Sequence, residues 1–153
     1  MATETGTTTA VETGTTTWKM GVAGGLVGGV VFGAMMSMMM PAVMEGAIPG
    51  MYGLSGGLAG WFIHMSHSAV LGVVFAAIAE IRPKLAASTG STVGAGVVYG
   101  IVLWAVLAVI VMPIWVGAVT PAEPPFPNLN FQSLVGHVAY GALLGGVYAA
   151  LRE

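Results

Sequence analysis

The sequence predicts an all-α membrane protein with four transmembrane helices, arranged as two tandem helical hairpins of parallel orientation. Three observations carry that prediction. The chain has 153 residues, of which 56% are hydrophobic and only 7% charged, whereas about a quarter of residues in a soluble domain carry charge. The ten charged residues leave 20–44, 46–79, 85–122 and 124–151 empty of charge, and each gap exceeds the roughly 20 residues that cross a bilayer's hydrocarbon core. The two halves of the chain also resemble each other. Four Lys and Arg against six Glu give a net charge of −2, without the basic footprint that nucleic acid requires as a partner. With no cysteine, disulfides, thiolate metal sites, iron–sulfur clusters and Cys nucleophiles are excluded together.

Residues 1–17 contain nine Thr with Glu4 and Glu12 and almost no large apolar side chain, so a disordered tail is expected, unable to offset its own ordering entropy. The transmembrane domain is expected over 18–153. Apolar runs between polar punctuation place helices near Trp18 to Met44, Ser55 to Ala79, Ser91 to Val116 and Phe131 to Leu151. Lys19, Arg82, Lys84 and Arg152 fall at the two termini and in the middle loop, and the other two loops have no Lys or Arg. By the positive-inside rule both termini are expected in the cytoplasm of a multi-pass cell-membrane protein. The outer loop Pro121-Ala-Glu-Pro-Pro-Phe-Pro127 reads as extended and semi-rigid.

Residues 64–80 and 137–153 align without a gap at offset 73 with 8 identities in 17. The first helices of each half pair at offset 72, matching Gly24 to Gly96, Gly28 to Gly100 and Met40-Pro41 to Met112-Pro113. A duplicated hairpin follows, with repeat 1 at about 18–82 and repeat 2 at about 90–153. A hairpin returns to its starting side, so both copies share one orientation about an axis along the membrane normal. Pro41 and Pro113 are expected to set matched bends. Gly21, Gly25, Gly29 and Gly33 recur every fourth residue, as do Gly96 with Gly100 and Gly141 with Gly145. Such spacing lets membrane helices approach closely, within the bundle, in a homo-oligomer or in a larger membrane complex.

All three histidines lie inside expected spans, and an ionisable residue at that depth is a functional hypothesis in itself. His64 belongs to a stripe with Gly60, Ser68 and Gly72, and His137 to one with Ser133, Gly141 and Gly145. The two positions correspond in the repeat, so the imidazoles are expected at similar depth. Two readings stay open. Each histidine is an interhelical hydrogen-bonder without a cofactor, or the pair ligates a haem b through a slot left by the glycines. His67 corresponds to Tyr140 and Glu45 to Gly117, so neither belongs to the symmetric pair. Met36, Met40 and Met44 share a face at four-residue spacing, and these thioethers with Glu45 and His67 form a soft-metal or cation candidate. The competing reading of the methionines is flexible packing.

The sequence carries no phosphate-binding Gly-Lys-Ser/Thr loop, no dinucleotide fingerprint between a strand and a helix, and no nucleophile elbow. The run from Gly24 to Met36, followed by Pro41-Ala-Val-Met, Ala47-Ile-Pro, Tyr52-Gly-Leu and Trp61-Phe-Ile-His-Met-Ser-His-Ser-Ala-Val, resembles small integral membrane proteins of halophilic archaea that have no assigned activity. The resemblance spans roughly residues 18–151 and implies a membrane location and fold, without a chemistry. Members of that group are sometimes labelled histidine kinases. This chain has neither a dimerisation helix nor an ATP-binding domain to support the label. The expected function is a cofactor-free structural or accessory membrane component without catalytic machinery. The alternatives are a bis-His haem electron carrier on His64 and His137, and a soft-cation or proton transporter on Glu45, His64, His67 and the methionines.

Overall fold

A computed structural model describes residues 5–152 of the chain, with side chains from residue 16 onward; residues 1–4 of the expected tail, and Glu153, lie outside the described residues. The described chain is helical and contains four helices long and apolar enough to cross a membrane. These are α1 (Thr5–Met39), α2 (Gly57–Ile81), α3 (Thr89–Val119) and α4 (Phe131–Arg152). The apolar span of α1 runs over Thr16–Met39, and the helix itself begins at Thr5, inside the segment expected as tail. Extending an existing helix costs far less than nucleating one, which lets a Thr-rich stretch continue the span outward.

The helix ends follow from local chemistry. At Met40 α1 breaks, earlier than expected, because Pro41 disfavours helical backbone at the residue before it. A π-helical turn, Val43–Ala47, follows and leads through Ile48–Gly50 into the first loop. Ser88 caps α3 in a reciprocal box with Ser91. Asn130 caps α4, its Oδ1 accepting from the Ser133 amide at 2.9 Å. On the side of the termini, Arg152 Nη1 donates to the Ala86 carbonyl at 2.7 Å and ties the chain end to the middle loop.

Within each hairpin the helices pack backbone against backbone, and α1 against α4 joins the two hairpins. Glycines make these approaches possible. Gly21, Gly25, Gly29 and Gly33 face α2, where a Cβ on Gly21 would stand 2.8 Å from the Ala76 Cβ and one on Gly29 would stand 2.6 Å from the Ser68 Cβ. Gly24 and Gly28, one residue round the same helix, face α4 at Leu144 and Tyr140. Gly96 and Gly100 pack against Gly141 and the His137 carbonyl of α4. In lipid, which gives helices little hydrophobic reason to associate, this close packing is the main attraction available. The outward surface is apolar, with Leu58 90% and Phe62 75% exposed, as a lipid-facing surface requires.

The two prolines sit in different local structure. Pro41 ends α1, whereas α3 continues through Pro113 after a π-helical stretch, Trp104–Val111. Proline has no N–H, so Pro113 leaves the carbonyl four residues earlier, Val109, without its helical donor. The amide of Asn128 donates to that carbonyl at 3.1 Å. The proline-rich loop is therefore pinned onto α3, and the Trp104 indole N–H donates to the Asn130 carbonyl at 3.3 Å.

Candidate functional site

The helices α2 and α3 do not pack backbone against backbone, unlike the other neighbouring pairs. Near the termini, side chains close the gap between them. The Tyr99 hydroxyl donates to the Leu71 carbonyl at 2.8 Å, and the Tyr140 hydroxyl of α4 reaches the Ser68 carbonyl at 2.7 Å. Phe75 stacks with Tyr99 and, edge-on, with Tyr148, at centroid distances of 5.5 and 5.6 Å. Toward the two loops at the end opposite the termini the gap opens into a cavity of about 350 Å³. That is at the small end of the range for ligand pockets.

The walls belong to all four helices. Phe32 and Met36 come from α1 and Met40 from the break that follows it, His64, His67 and Leu71 from α2, Leu107, Ala108 and Trp115 from α3, and Ser133, His137 and Tyr140 from α4. Asn128 and Asn130 of the pinned loop complete the mouth. The lining runs no closer to the termini than Phe32, Leu71, Leu103 and Tyr140, so the cavity is blind on that side. Val70, 62% exposed, stands on its lateral rim, where the cavity meets the lipid-facing surface between α2 and α3.

Both histidines of the expected pair line this one cavity. His64 is buried, and its Nε2 lies 2.9 Å from the Gly29 carbonyl of α1. His137 is half-buried, and its Nδ1 lies 2.7 Å from the Ser133 carbonyl of its own helix, with Ser133 Oγ farther off at 3.4 Å. A carbonyl only accepts, so in each ring the bonded nitrogen carries the hydrogen. In the neutral imidazole the other nitrogen, Nδ1 of His64 and Nε2 of His137, is then an acceptor. Among the described residues no fully enclosed side-chain nitrogen or oxygen lacks a partner. The two acceptor nitrogens accordingly touch open volume.

Phe32 packs edge-on against both imidazoles, with centroids 5.6 Å from His64 and 4.7 Å from His137. A bis-histidine haem needs a flat slot between its ligands, and this phenyl ring stands against both of them. The rings also offer different nitrogens to the cavity. His67 shares a 2.7 Å hydrogen bond between its Nε2 and the Tyr52 hydroxyl at the mouth, and Tyr52 in turn stacks on Trp115 at 5.4 Å.

The soft-metal candidate is divided. Met36, Met40 and His67 reach the cavity wall. Met44, beyond the break at Met40, turns its sulfur toward Gly60 instead, and Glu45 is exposed on the π-helical turn beside Gly57. No group of three or more His, Cys, Asp or Glu side chains is placed to hold a metal among the described residues. Four lining residues carry no sequence signal of a site: Phe32 and Ala108 are ordinary apolar positions, and Asn128 and Asn130 sit in a loop whose docking depends on Pro113. No protein-family model, curated protein or solved structure matches this chain.

Proposed function

We propose that this is a non-catalytic accessory membrane protein that holds a small, lipid-soluble ligand in the side-opening cleft between α2 and α3. The observation that carries this reading is the cavity itself. It is an apolar chamber at membrane depth, about 350 Å³, with two imidazole acceptors exposed on its wall and a rim on the lipid surface. Pockets of this kind combine apolar walls with a few oriented polar groups, and an ionisable residue held inside a membrane is costly unless it serves an interaction. A ligand dissolved in the bilayer reaches the chamber sideways, past Val70, without crossing a headgroup barrier.

The test is extraction. The protein is purified from its native membrane in mild detergent, and the organic extract is compared by mass spectrometry with that of an Ala108→Leu variant, whose side chain projects into the cavity. A small molecule enriched in the wild-type extract and absent from the variant supports the reading. Identical extracts overturn it.

The blind end at Phe32, Leu71, Leu103 and Tyr140 favours holding over transport, because a transporter needs a route to the opposite side. The Phe32 contacts favour hydrogen-bond recognition over haem ligation. Both termini belong in the cytoplasm on this reading, which puts the chamber in the outer leaflet, as the Lys and Arg positions support.

A duplicated hairpin of parallel copies underlies the chamber on this reading. The support lies in corresponding contacts: Gly72 packs on Gly21 and Gly25 as Gly145 packs on Thr92 and Val93, and Gly25 meets Ser68 as Gly96 meets Gly141. These pairs imply an offset of 73 in α2 and α4 and 71 between Gly25 and Gly96. Farther along, the Met-Pro pairs give 72. One residue inserted into α3 between Gly100 and Met112 reconciles the two values, and a π-helical stretch is how a helix absorbs an extra residue. The stretch Trp104–Val111 lies in that interval and supplies Leu107, Ala108 and Val111 to the cavity.

A further inference from the structure

We infer that the cleft selects its ligand by hydrogen-bond polarity, taking a molecule with two O–H donors, of the hydroquinone type, in preference to the corresponding quinone. The inference rests on the ligand-holding reading above and adds what the ligand must present. The Gly29 carbonyl takes the Nε2 hydrogen of His64, and the Ser133 carbonyl takes the Nδ1 hydrogen of His137. Each neutral ring therefore keeps one lone pair for the cavity and has no hydrogen left to give. His64 as a residue is only 7% exposed, while its Nδ1 meets open volume and has no donor in the protein. A ligand that covers such an acceptor without supplying a hydrogen is disfavoured. A carbonyl-bearing ligand would set acceptor against acceptor at both rings, whereas a diol supplies both missing hydrogens.

The shape agrees with an aromatic diol. Phe32, Tyr52, Trp115 and Tyr140 place flat side chains around the chamber, and offset or edge-on aromatic contacts suit a ring of similar size. The two acceptors come from different hairpins, so a ligand donating at opposite ends of one ring would bridge them. An apolar substituent or tail would leave through the lateral gap at Val70, into lipid. Sites built to hydrogen-bond a hydroxyl reject the analogue that lacks it far more strongly than apolar sites reject a change of size.

The experiment uses the full chain in lipid nanodiscs and follows quenching of tryptophan fluorescence, Trp115 being on the wall. Three probes of one skeleton are titrated without oxygen: tetramethylhydroquinone, tetramethylbenzoquinone, and the dimethyl ether of the hydroquinone. The expected result is binding of the hydroquinone about tenfold or more tighter than either other probe, as two hydrogen bonds imply. The preference should fall toward unity in His64→Leu and His137→Leu, and persist in part in His137→Gln, which keeps an acceptor. Should a leucine variant fail to fold, the three wild-type titrations decide alone. Equal binding of all three probes, abolished by Ala108→Leu, overturns the polarity rule and leaves the ligand-holding reading standing. Tighter binding of the quinone also overturns the rule. Quenching no different from that of Ala108→Leu with every probe overturns the rule and counts against the cleft as a ligand site.

Discussion

The end of the bundle that carries the termini and the opposite end, with its two loops, are built from the same four helices, yet they differ in how closely those helices approach. At the terminal end, glycines bring α1 onto α2 and α3 onto α4, and Tyr99 and Tyr140 reach over to the carbonyls of α2. At the loop end the close-packing rows give way to Phe32, Trp61 and the histidines, α3 carries its π-helical stretch, and a chamber remains. The terminal end thus supplies the stability that permits an unfilled volume at the other. Cavities cost contacts, and a small membrane bundle tolerates one where a rigid clamp lies beside it.

The clamp breaks most severely at its glycines. A Cβ on Gly72 would stand 3.0 Å from the Gly25 Cα, and one on Gly141 would stand 3.1 Å from the Gly100 amide nitrogen. The obstacles are backbone atoms, so they cannot swing aside. Gly72→Leu or Gly141→Leu is expected to lose about 3 kcal/mol, read as a lower midpoint in SDS- or heat-induced unfolding of the detergent-solubilised protein. An unchanged midpoint for both would mean that the glycine contacts are incidental to stability.

Removing a tyrosine hydroxyl is a milder test. Tyr140→Phe deletes the hydrogen bond from α4 to the Ser68 carbonyl, and Tyr99→Phe deletes the one that spans the gap from α3 to Leu71. Each should cost about 1 kcal/mol. Tyr99→Phe should in addition speed hydrogen exchange in α2 around Leu71, because no backbone packing replaces the lost bridge. Equal exchange in both variants would place the closure of the gap elsewhere.

The clamp was far more legible in the sequence than the chamber. Charge-free gaps announce spans because a bilayer excludes charge, and glycines every fourth residue announce a helix face, so both follow from single-residue chemistry. The histidines were legible as costly residues at membrane depth. Their surroundings were not, since Phe32 is one apolar residue among many until the helix rotation is known. Asn128 acts through its backbone N–H, which every residue but proline has. The signal for its docking was Pro113, whose missing N–H frees the Val109 carbonyl, and that consequence requires knowing that α3 continues through the proline. Similarly, the face shared by Met36, Met40 and Met44 assumed an unbroken helix, and the break at Met40 sends Met44 to Gly60.

A glycine outside the clamp should behave in the opposite sense. Gly94 is exposed in α3, with nothing within 4 Å of its added Cβ. Gly94→Ala meets no obstacle and restricts the unfolded backbone, so a gain of about 0.5–1 kcal/mol is expected in the same unfolding assay. A loss of stability would assign that face of α3 to contact with another copy or another protein, a contact that an alanine methyl would disturb.

The smallest change in stability is expected inside the chamber, and it separates the two ends of the bundle most directly. Ala108 is buried in the π-helical stretch and lines the cavity, so three further carbons have open volume to enter. Ala108→Leu should leave the unfolding midpoint in place or raise it by about 0.5 kcal/mol, as cavity filling commonly does, while abolishing ligand retention. A leucine at Gly141, in the clamp, meets backbone and lowers the unfolding midpoint. Stability and binding would then respond to different residues, as expected if the terminal end holds the fold and the loop end holds the ligand. A large loss of stability in Ala108→Leu would instead make the π-helical wall part of the structural core, and the volume beside it a packing defect with no ligand to account for it.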